Sequence, residues 1–389
     1  MTLRLVIDAR RLHDFGVGTY TRNLVRSLAE IDHANQYTLI MSGEPVPEFA
    51  DLPGNFRQLI FNRPPGVLTD LRFSWFVRGC HADVYHVPAN EVPLGMPGPY
   101  IVTVHDVGNL LFAKNPGVSN NLGLFRFRHG LLGAARLIAV SNATRRDIET
   151  LIDIDPSRVK TIYNAPDPAF VQSHSLSIAC VGGETFQYPP EMQRILDRYQ
   201  IHYPFLLYAG RTNPQKNIPR LVEAFAVLRG ELTNDPLYRD LRLIIIGDQI
   251  SKNSALRHAV IQSRVEDTVR FLGFVPIETL RVFYQAAAAF VFPSLYEGFG
   301  LPPLEAMACG TPVVTSHVSA LPEVVGDAAC IVNPENVFDI ARGIRELLLD
   351  RELRGTLIRR GFEQLKLFSW EKSAAQVLET YQEVASGRA

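Results

Sequence analysis

Short runs of apolar residues alternate along the chain with segments whose apolar residues recur at helical spacing. Residues 3–9 form one such run, and apolar residues then recur three or four positions apart from Tyr20 to Ile31. The runs indicate buried strands, and the spacing indicates amphipathic helices. Further strand-like runs lie at residues 37–41, 84–87, 100–104, 137–140, 159–163, 205–208, 243–247, 269–275 and 288–292. This alternation predicts an α/β fold with parallel sheets covered on both faces.

The length of the chain and a gap in its pattern predict two domains. A chain of 389 residues exceeds what one hydrophobic core usually supports. The periodicity fades between residues 171 and 204, where pairs of glycines and prolines interrupt it. We therefore predict a first domain at residues 1–180, a linker at 181–204, a second domain at 205–369 and a last helical segment at 370–389.

One stretch combines a strand end, a glycine loop and a helix start. The apolar run at residues 288–292 is followed by Gly298 and Gly300, which leave the backbone bare for a ligand to approach. Pro302 and Pro303 suit the first turn of a helix, where a missing N–H costs nothing. A glycine loop before a helix N-terminus favours anions, because unpaired N–H groups and the helix dipole point outward. The stretch therefore predicts a phosphate or sugar site.

Two carboxylates flank this loop. Glu297 precedes it, and we expect Glu305 in the first helical turn. If the loop folds back over the helix start, each carboxylate faces one end of an extended ligand and accepts hydrogen bonds from its hydroxyls. The alternative is structural, because a glutamate near a helix start commonly complements the dipole or caps a turn. The pair alone does not decide between these interpretations.

The longer stretch resembles the region with two glutamates, seven residues apart, of the retaining nucleotide-sugar glycosyltransferases of family 4. The matching positions are Ser294, Glu297, Gly298, Phe299, Gly300, Glu305, Ala306, Gly310, Pro312 and Val313. The resemblance implies the GT-B fold, with two Rossmann-like domains facing a central cleft. It also implies an acceptor-side first domain, a nucleotide-sugar-binding second domain and a C-terminal helix that crosses back onto the first.

A loop after the strand at residues 205–208 carries two cations. Arg211 and Lys216 lie five positions apart, and a guanidinium beside an ammonium suits a diphosphate. Two solvated surface cations are the alternative. The loop resembles the family's Gly-Arg and Lys-Asn segment, which implies that both cations neutralise the leaving diphosphate and make a metal dispensable.

The resemblance also assigns roles around the glycine loop. It implies that the amides from Phe299 to Leu301 contact the diphosphate, including that of Gly300. Glu297 would hold the sugar hydroxyls and Glu305 the ribose diol. Turns at two other strand ends would hold the nucleotide base. The base-site candidates are Gly247, Val275 and Pro276.

The first domain offers two weaker candidates. Gly16 and Gly18 open a helix after the first strand, which a tight turn alone would explain. His105 follows the strand at residues 100–104, and ligands of open α/β sheets bind beyond the carboxyl ends of strands. A structural histidine is the alternative. The resemblance implies that the glycines face the donor phosphates and that His105 positions donor or acceptor hydroxyls.

The net charge and the cysteine pattern argue against some classes of partner and cofactor. A formal net charge of −1 gives no bulk attraction to nucleic acid, and the four cysteines show no pattern of a zinc site or disulfide framework. Asp153 and Asp155 offer an Asp-x-Asp pair, but Asp155 before a proline indicates a helix cap. We expect no metal and no cofactor. The absence of a signal-peptide pattern or membrane-spanning run predicts a cytoplasmic protein.

The segment from Phe125 to His129 interleaves aromatic and basic residues on a predicted helix. Such a segment can lie on anionic lipid or touch a phosphate-bearing acceptor. The alternative, which the pattern favours slightly, is a core helix with a solvated arginine face. Peripheral contact with the inner face of the membrane is therefore one of two expectations.

Together these features predict a retaining glycosyltransferase that moves a hexose from a nucleoside-diphosphate sugar to a saccharide or lipid-linked acceptor. The pairing of His105 with Asp106 and the start at Gly16 resemble bacterial mannosyltransferases that use GDP-mannose in polysaccharide or glycolipid assembly. A nucleotide-sugar epimerase of the GT-B type is the alternative, because it would grip the same diphosphate. A dinucleotide-dependent oxidoreductase fits less well, since the loop containing Gly18 lacks a third glycine.

Overall fold

The computed structural model describes residues 2–14, 16–43, 46–62, 68–111, 118–171, 188–248 and 253–387. It divides into two units, Met1–Ala165 with Phe368–Ala389, and Pro166–Leu367. Within the described ranges the strands are β1 (Arg4–Asp8), β2 (Gln36–Met41), β3 (Phe56–Ile60), β4 (Val84–Val87), β5 (Tyr100–Val104), β6 (Arg136–Ala139), β7 (Val159–Thr161), β8 (Phe205–Ala209), β9 (Arg242–Ile246), β10 (Val269–Leu272), β11 (Ala289–Phe292), β12 (Val313–Ser316) and β13 (Cys330–Val332).

Helices connect these strands. In chain order they are α1 (Val17–Ile31), α2 (Thr69–Arg78), α3 (Gly108–Leu111), α4 (Val118–Leu132), α5 (Asn142–Leu151), α6 (Pro168–Val171), α7 (Pro190–Arg198), α8 (Ile218–Glu231), α9 (Ser254–Gln262), α10 (Ile277–Ala286), α11 (Leu301–Ala308), α12 (Leu321–Val325), α13 (Val337–Leu349), α14 (Arg351–Leu365) and α15 (Trp370–Ala385). Short 3-10 helices lie at Pro47–Phe49, Pro156–Arg158 and Pro214–Lys216. None of the helices in the described ranges is long and apolar enough to cross a bilayer.

Each unit is built on one parallel sheet. The first sheet has the order β3-β2-β1-β4-β5-β6-β7, and the second has the order β10-β9-β8-β11-β12-β13. Every strand pair in both is parallel. All residues of β5 and of β8 are buried, as expected for strands covered by helices on both faces. The predicted α/β class is therefore confirmed.

The chain passes between the units earlier than the sequence pattern suggests. The first unit ends at Ala165, whereas we predicted a first domain that ends at residue 180. The reason is that α6 packs against α10 and α11 of the second unit. Of the linker predicted at 181–204, residues 181–187 lie outside the described residues. Residues 190–198 form α7, which packs on α10 and buries Met192 and Leu196.

The C-terminal helix α15 belongs to the first unit and packs on α1. A buried chain of hydrogen bonds joins it to the sheet. The Tyr381 hydroxyl lies 2.6 Å from His86 Nδ1, and His86 Nε2 lies 2.8 Å from the Thr103 hydroxyl. That hydroxyl lies 3.0 Å from the hydroxyl of Tyr20 on α1. Burial lowers the pKa of His86 to about 3, so the ring is neutral at physiological pH.

We expect Tyr381→Phe to lower the free energy of unfolding by about 1–3 kcal/mol, because His86 Nδ1 loses its partner inside the core. Tyr163→Phe serves as the control, since its hydroxyl bonds Asn142 at an exposed position where water can substitute. Denaturant unfolding of both variants measures the difference. Equal losses in the two variants would show that the buried chain does not stabilise the docking of α15.

Candidate active site

The loops that carry the predicted site residues of the second unit leave its sheet at neighbouring strands. The chain enters this sheet at β8, runs outward to β10, and then crosses to β11 on the other side of β8. Ligands of open parallel sheets bind beyond the carboxyl ends of the strands where the order reverses. The loop after β8 carries Arg211 and Lys216, and the loop after β11 carries Glu297. These candidates therefore lie at the reversal point.

Hydrogen bonds fasten the two loops to each other. The Leu295 amide donates to the Gln215 carbonyl at 2.7 Å. The side-chain amide of buried Asn217 donates to the carbonyls of Pro293 at 3.0 Å and Pro334 at 2.7 Å. Asn217 has a left-handed backbone with φ of 60°, which asparagine tolerates better than most residues, and it immediately precedes α8. The Asn217 side chain thus ties this loop to the segments that follow β11 and β13.

Lys216 and Glu297 form an ion pair across this junction. Lys216 Nζ lies 2.6 Å from Glu297 Oε1 and 2.7 Å from Oε2, and the two side chains are 16% and 11% exposed. The ammonium also lies 5.5 Å from the centroid of the Phe292 ring. An ammonium has three N–H donors, and the carboxylate uses two of them. The pair therefore leaves one N–H for a further acceptor.

Arg211 follows β8 on a fixed backbone. The hydroxyl of buried Tyr208 donates to the Arg211 carbonyl at 2.7 Å. Burial and the nearby Glu297 carboxylate raise the pKa of Tyr208 well above its usual value, so the phenol stays protonated as a donor. The Arg211 side chain is exposed, on the same loop as Lys216.

The candidates for a base site lie at the same edge of the sheet. Gly247 follows β9, and a Cβ there would sit 2.3 Å from the Gly210 carbonyl oxygen. Only glycine allows this close approach between the ends of β8 and β9. Val275 is buried after β10, and Pro276 directly precedes α10. The structure brings these residues to the carboxyl ends of adjacent strands.

The glycine loop ends in the predicted helix. Gly300 has φ of 116°, and a Cβ there would lie 2.9 Å from the Leu321 side chain, so the position requires glycine. Helix α11 then begins at Leu301, with Pro302 in its first positions as predicted. Because both prolines lack an N–H, the start of α11 offers an anion the amides of Gly300 and Leu301.

The backbone of Glu297 is held by a residue that the sequence did not indicate. The Glu297 amide donates to the Ser319 hydroxyl at 3.2 Å, and the same hydroxyl donates to the Glu297 carbonyl. Ser319 has φ of 58°, an uncommon conformation for serine. No sequence pattern marks this contact, because Glu297 follows β11 and Ser319 follows β12, so the two residues lie on different loops. Asn217 was more predictable, since asparagine tolerates the left-handed backbone found here directly before a helix.

Glu305 lies in the second turn of α11 and not in the first, where we expected it. The helix begins at Leu301, so the carboxylate is too far along to complement the free amides. The Tyr284 hydroxyl donates to Glu305 Oε2 at 3.1 Å. Burial, and to a smaller extent the charge of Asp167, raises the pKa of Glu305 to about 7. Burial therefore favours the protonated form of this carboxyl more strongly than water does.

The glycines after β1 in the first unit are needed sterically. Gly16 has φ of 75° and precedes α1. A Cβ on Gly18 would lie 2.0 Å from the Leu12 carbonyl oxygen, and the Gly18 amide donates to the Asp14 carbonyl at 2.7 Å. Both residues leave the sheet near the reversal between β1 and β4. Their conformation explains glycine here and leaves a role in phosphate binding as a prediction.

His105 follows β5 and has a defined tautomer. Its Nε2 lies 3.1 Å from the Pro88 carbonyl oxygen, which can only accept, so Nε2 carries the proton. Burial lowers the pKa of His105 to about 4, although the bond to Pro88 and the Asp106 charge oppose this effect. The neutral ring packs edge-on against Tyr20, with 5.0 Å between ring centroids. Nδ1 therefore presents a lone pair that can accept a hydrogen bond.

Metal ligands were also sought among the described residues. Within those ranges, no group of three or more His, Cys, Asp or Glu side chains is placed to hold a metal ion. The Asp155 carboxylate instead accepts from the Ser157 amide at 2.9 Å and caps the 3-10 helix that begins at Pro156. The predicted cap is confirmed, and independence from metal stays a prediction.

Comparison with known proteins identifies the family. Residues 16–170 match the model described as Glycosyltransferase Family 4, and residues 197–364 match the one described as Glycosyl transferases group 1. The O-antigen chain mannosyltransferase B of Escherichia coli is 31% identical over 384 residues, which cover 94% of this chain and 95% of that protein. The MMP alpha-(1->4)-mannosyltransferase of Mycolicibacterium hassiacum is 28% identical, with 98% of each chain covered.

A solved structure shows the same fold. Sucrose-phosphate synthase from Thermosynechococcus elongatus superposes with a TM-score of 0.77 at 21% identity, covering 99% of this chain and 100% of that one. The GT-B fold predicted from the sequence is therefore confirmed. With two family models spanning both units and a relative that matches over nearly its full length, the chain belongs to the family 4, group 1 glycosyltransferases.

Proposed function

We propose that this glycosyltransferase moves a mannosyl group from GDP-mannose to an acceptor hydroxyl, retains the anomeric configuration and needs no metal ion. Two relatives aligned over almost the whole chain are named mannosyltransferases, and one name specifies an alpha linkage. The observation that carries the proposal is the ion pair of Lys216 with Glu297 at the strand reversal. It sets an ammonium against a carboxylate at the edge of the sheet where ligands of such sheets bind.

The cations of the second unit suit a leaving diphosphate. Breaking the bond between the anomeric carbon and the phosphate leaves negative charge on the diphosphate. Lys216 offers its third N–H to this charge, and Arg211 offers a guanidinium on the same loop. The amides from Gly300 to Leu301 and the positive end of α11 add fixed dipoles. These groups perform the charge neutralisation that a divalent cation would otherwise provide.

Glu297 is suited to holding the sugar ring. Lys216 holds the Glu297 carboxylate, and Ser319 holds the Glu297 backbone. A diphosphate that draws the ammonium toward itself frees carboxylate lone pairs, which then accept hydrogen bonds from sugar hydroxyls. Donor binding and sugar orientation are coupled in this way, because Lys216 contacts both the diphosphate and the Glu297 carboxylate. In the first unit, the Nδ1 lone pair of His105 is suited to accept a hydrogen bond from a hydroxyl of the donor or of the acceptor.

Retention follows if the acceptor attacks from the face that the diphosphate leaves. The acceptor oxygen forms a bond to the anomeric carbon as the bond to the phosphate oxygen breaks. The acceptor proton moves to that departing phosphate oxygen, so charge and atoms balance. A GT-B nucleotide-sugar epimerase is less consistent with the transferase names of the relatives. The acceptor is a saccharide or a lipid-linked saccharide in this proposal.

The test is incubation of the purified chain with GDP-mannose, UDP-glucose or ADP-glucose in EDTA, with and without mannoside acceptors. We expect turnover only with GDP-mannose and an acceptor, and an alpha-linked product in the proton NMR spectrum. A beta-linked product would contradict retention, and loss of turnover in EDTA would contradict metal independence. Conversion of donor alone to an epimer would support the epimerase instead.

A second prediction concerns pH. Because the pKa of Glu305 is raised to about 7, its carboxylate is lost as the pH falls through that value. If the carboxylate binds the ribose diol, KM for the donor rises below that pH, by about tenfold for each further unit. Glu305→Gln should have a high KM that does not vary with pH. Glu363→Gln, at an exposed position of α14, is the control and should keep the wild-type profile. A pH-dependent KM in Glu305→Gln would remove Glu305 from donor binding.

A further inference from the structure

An apolar and basic surface on the first unit plays no part in the site described above. It consists of exposed side chains on α2 and its preceding residue and on α4, and we call it the Trp75 face. Its members are Leu68, Leu71, Arg72, Trp75, Arg78, Phe125, Arg128, His129 and Leu132. Trp75 is 80% exposed, Phe125 62% and Leu68 56%. Such large apolar side chains on one surface indicate a binding face.

The face has the same helical spacing on both helices. Leu68, directly before α2, and Leu71 and Trp75 on α2 are exposed and lie three and four residues apart. Phe73 and Val77 are buried on the opposite side of α2. On α4, exposed Phe125 and Leu132 lie two turns apart, while Phe127 and Leu131 are buried. Each helix thus already supplies a buried face to the core. The second apolar stripe is not required by folding.

The two helices form one surface. The Arg126 guanidinium on α4 forms an ion pair with the Asp70 carboxylate on α2. Phe125 stacks on His129 one turn further along α4, with 5.7 Å between ring centroids. The ion pair joins the two helices at Asp70 and Arg126, which directly precede Leu71 and follow Phe125 in the sequence.

The charge of this surface differs from that of the whole protein. Residues 68–78 and 123–132 contain four arginines and one aspartate, a net charge of 4 − 1 = +3, whereas the whole chain has −1. Arginine beside exposed tryptophan and leucine is typical of helices that lie in the headgroup region of an anionic bilayer. We propose that the Trp75 face binds the surface of an anionic phospholipid membrane.

The charge also argues against a second copy of this chain. In a two-fold symmetric dimer this surface would meet itself, so two patches of net +3 would be brought together. An anionic lipid surface complements the same charge and takes up the apolar side chains between them. Membrane contact, one of the two interpretations of the segment from Phe125 to His129, thus extends to the exposed side of α2.

Tryptophan fluorescence provides a direct test on the full-length protein. The chain has two tryptophans, exposed Trp75 and Trp370, which is 6% exposed. With vesicles of equimolar phosphatidylcholine and phosphatidylglycerol, we expect Trp75 emission to shift to the blue and brominated acyl chains to quench it. Trp75→Phe should lose both signals. Absence of the shift and quenching in the wild-type protein would overturn the proposal.

Vesicle sedimentation measures the contribution of each side chain. Trp75→Ala with Leu71→Ala should weaken binding by at least about tenfold, and Arg72→Gln by about fivefold. Phe338→Ala and Arg359→Gln, at exposed positions in the second unit, are matched controls and should bind like wild type. Equal binding to vesicles of phosphatidylcholine alone, or no loss in the Trp75 variant, would contradict the proposal.

Two further measurements distinguish loss of membrane binding from loss of folding or catalysis and from loss of a dimer. The Trp75 and Arg72 variants should keep the wild-type melting temperature and the wild-type turnover of a soluble acceptor, so membrane binding can fail while the transferase proposal stands. Sedimentation velocity without lipid should show the same mass for wild type and Trp75→Ala. A concentration-dependent dimer that Trp75→Ala abolishes would assign the face to a second copy.

Discussion

The largely buried ion pair of Lys216 with Glu297 is the interaction on which the candidate site depends. Removing two charges from water is costly, so such a pair persists only where geometry and further contacts compensate. Here the parallel sheet supplies the geometry, because its strand order reverses between β8 and β11 and brings their loops together. The Phe292 ring and the backbone bonds between the loops then hold the pair in place. A charged, partly unsatisfied cation results at the edge where ligands of such sheets bind.

Residues with positive φ cluster at the same edge of the second sheet. Asn217, Gly300 and Ser319 all have positive φ, and each lies within or beside a loop that leaves a carboxyl strand end. Conformations of this kind are retained where the surrounding contacts over-determine them. Asn217 is fixed by two carbonyl acceptors, and Ser319 by Glu297 itself. The rigid loops therefore position charge without any rearrangement of their own.

The sequence predicted features whose cause is local. Apolar runs identified most of the strands, while β3, β12 and β13 were missed. β3 and β13 lie at sheet edges and bury few side chains, and β12 is buried but has only four residues, too few for a clear pattern. The glycines and prolines around Gly300 predicted the start of α11, because their backbone preferences act within a few residues. Glu305 was expected in the first helical turn, but it is the fifth residue of α11 and lies just beyond that turn. Contacts such as Ser319 with Glu297, or α6 with α10, join distant segments and leave no local pattern.

We propose that Lys216 neutralises the leaving diphosphate without a metal, and the turnover number of Lys216→Ala in EDTA tests this role most directly. We expect a fall of about 10² to 10³, with circular dichroism showing the fold retained. Lys366→Ala, which breaks the exposed pair with Glu363, should keep wild-type turnover. Wild-type turnover in Lys216→Ala would contradict the account.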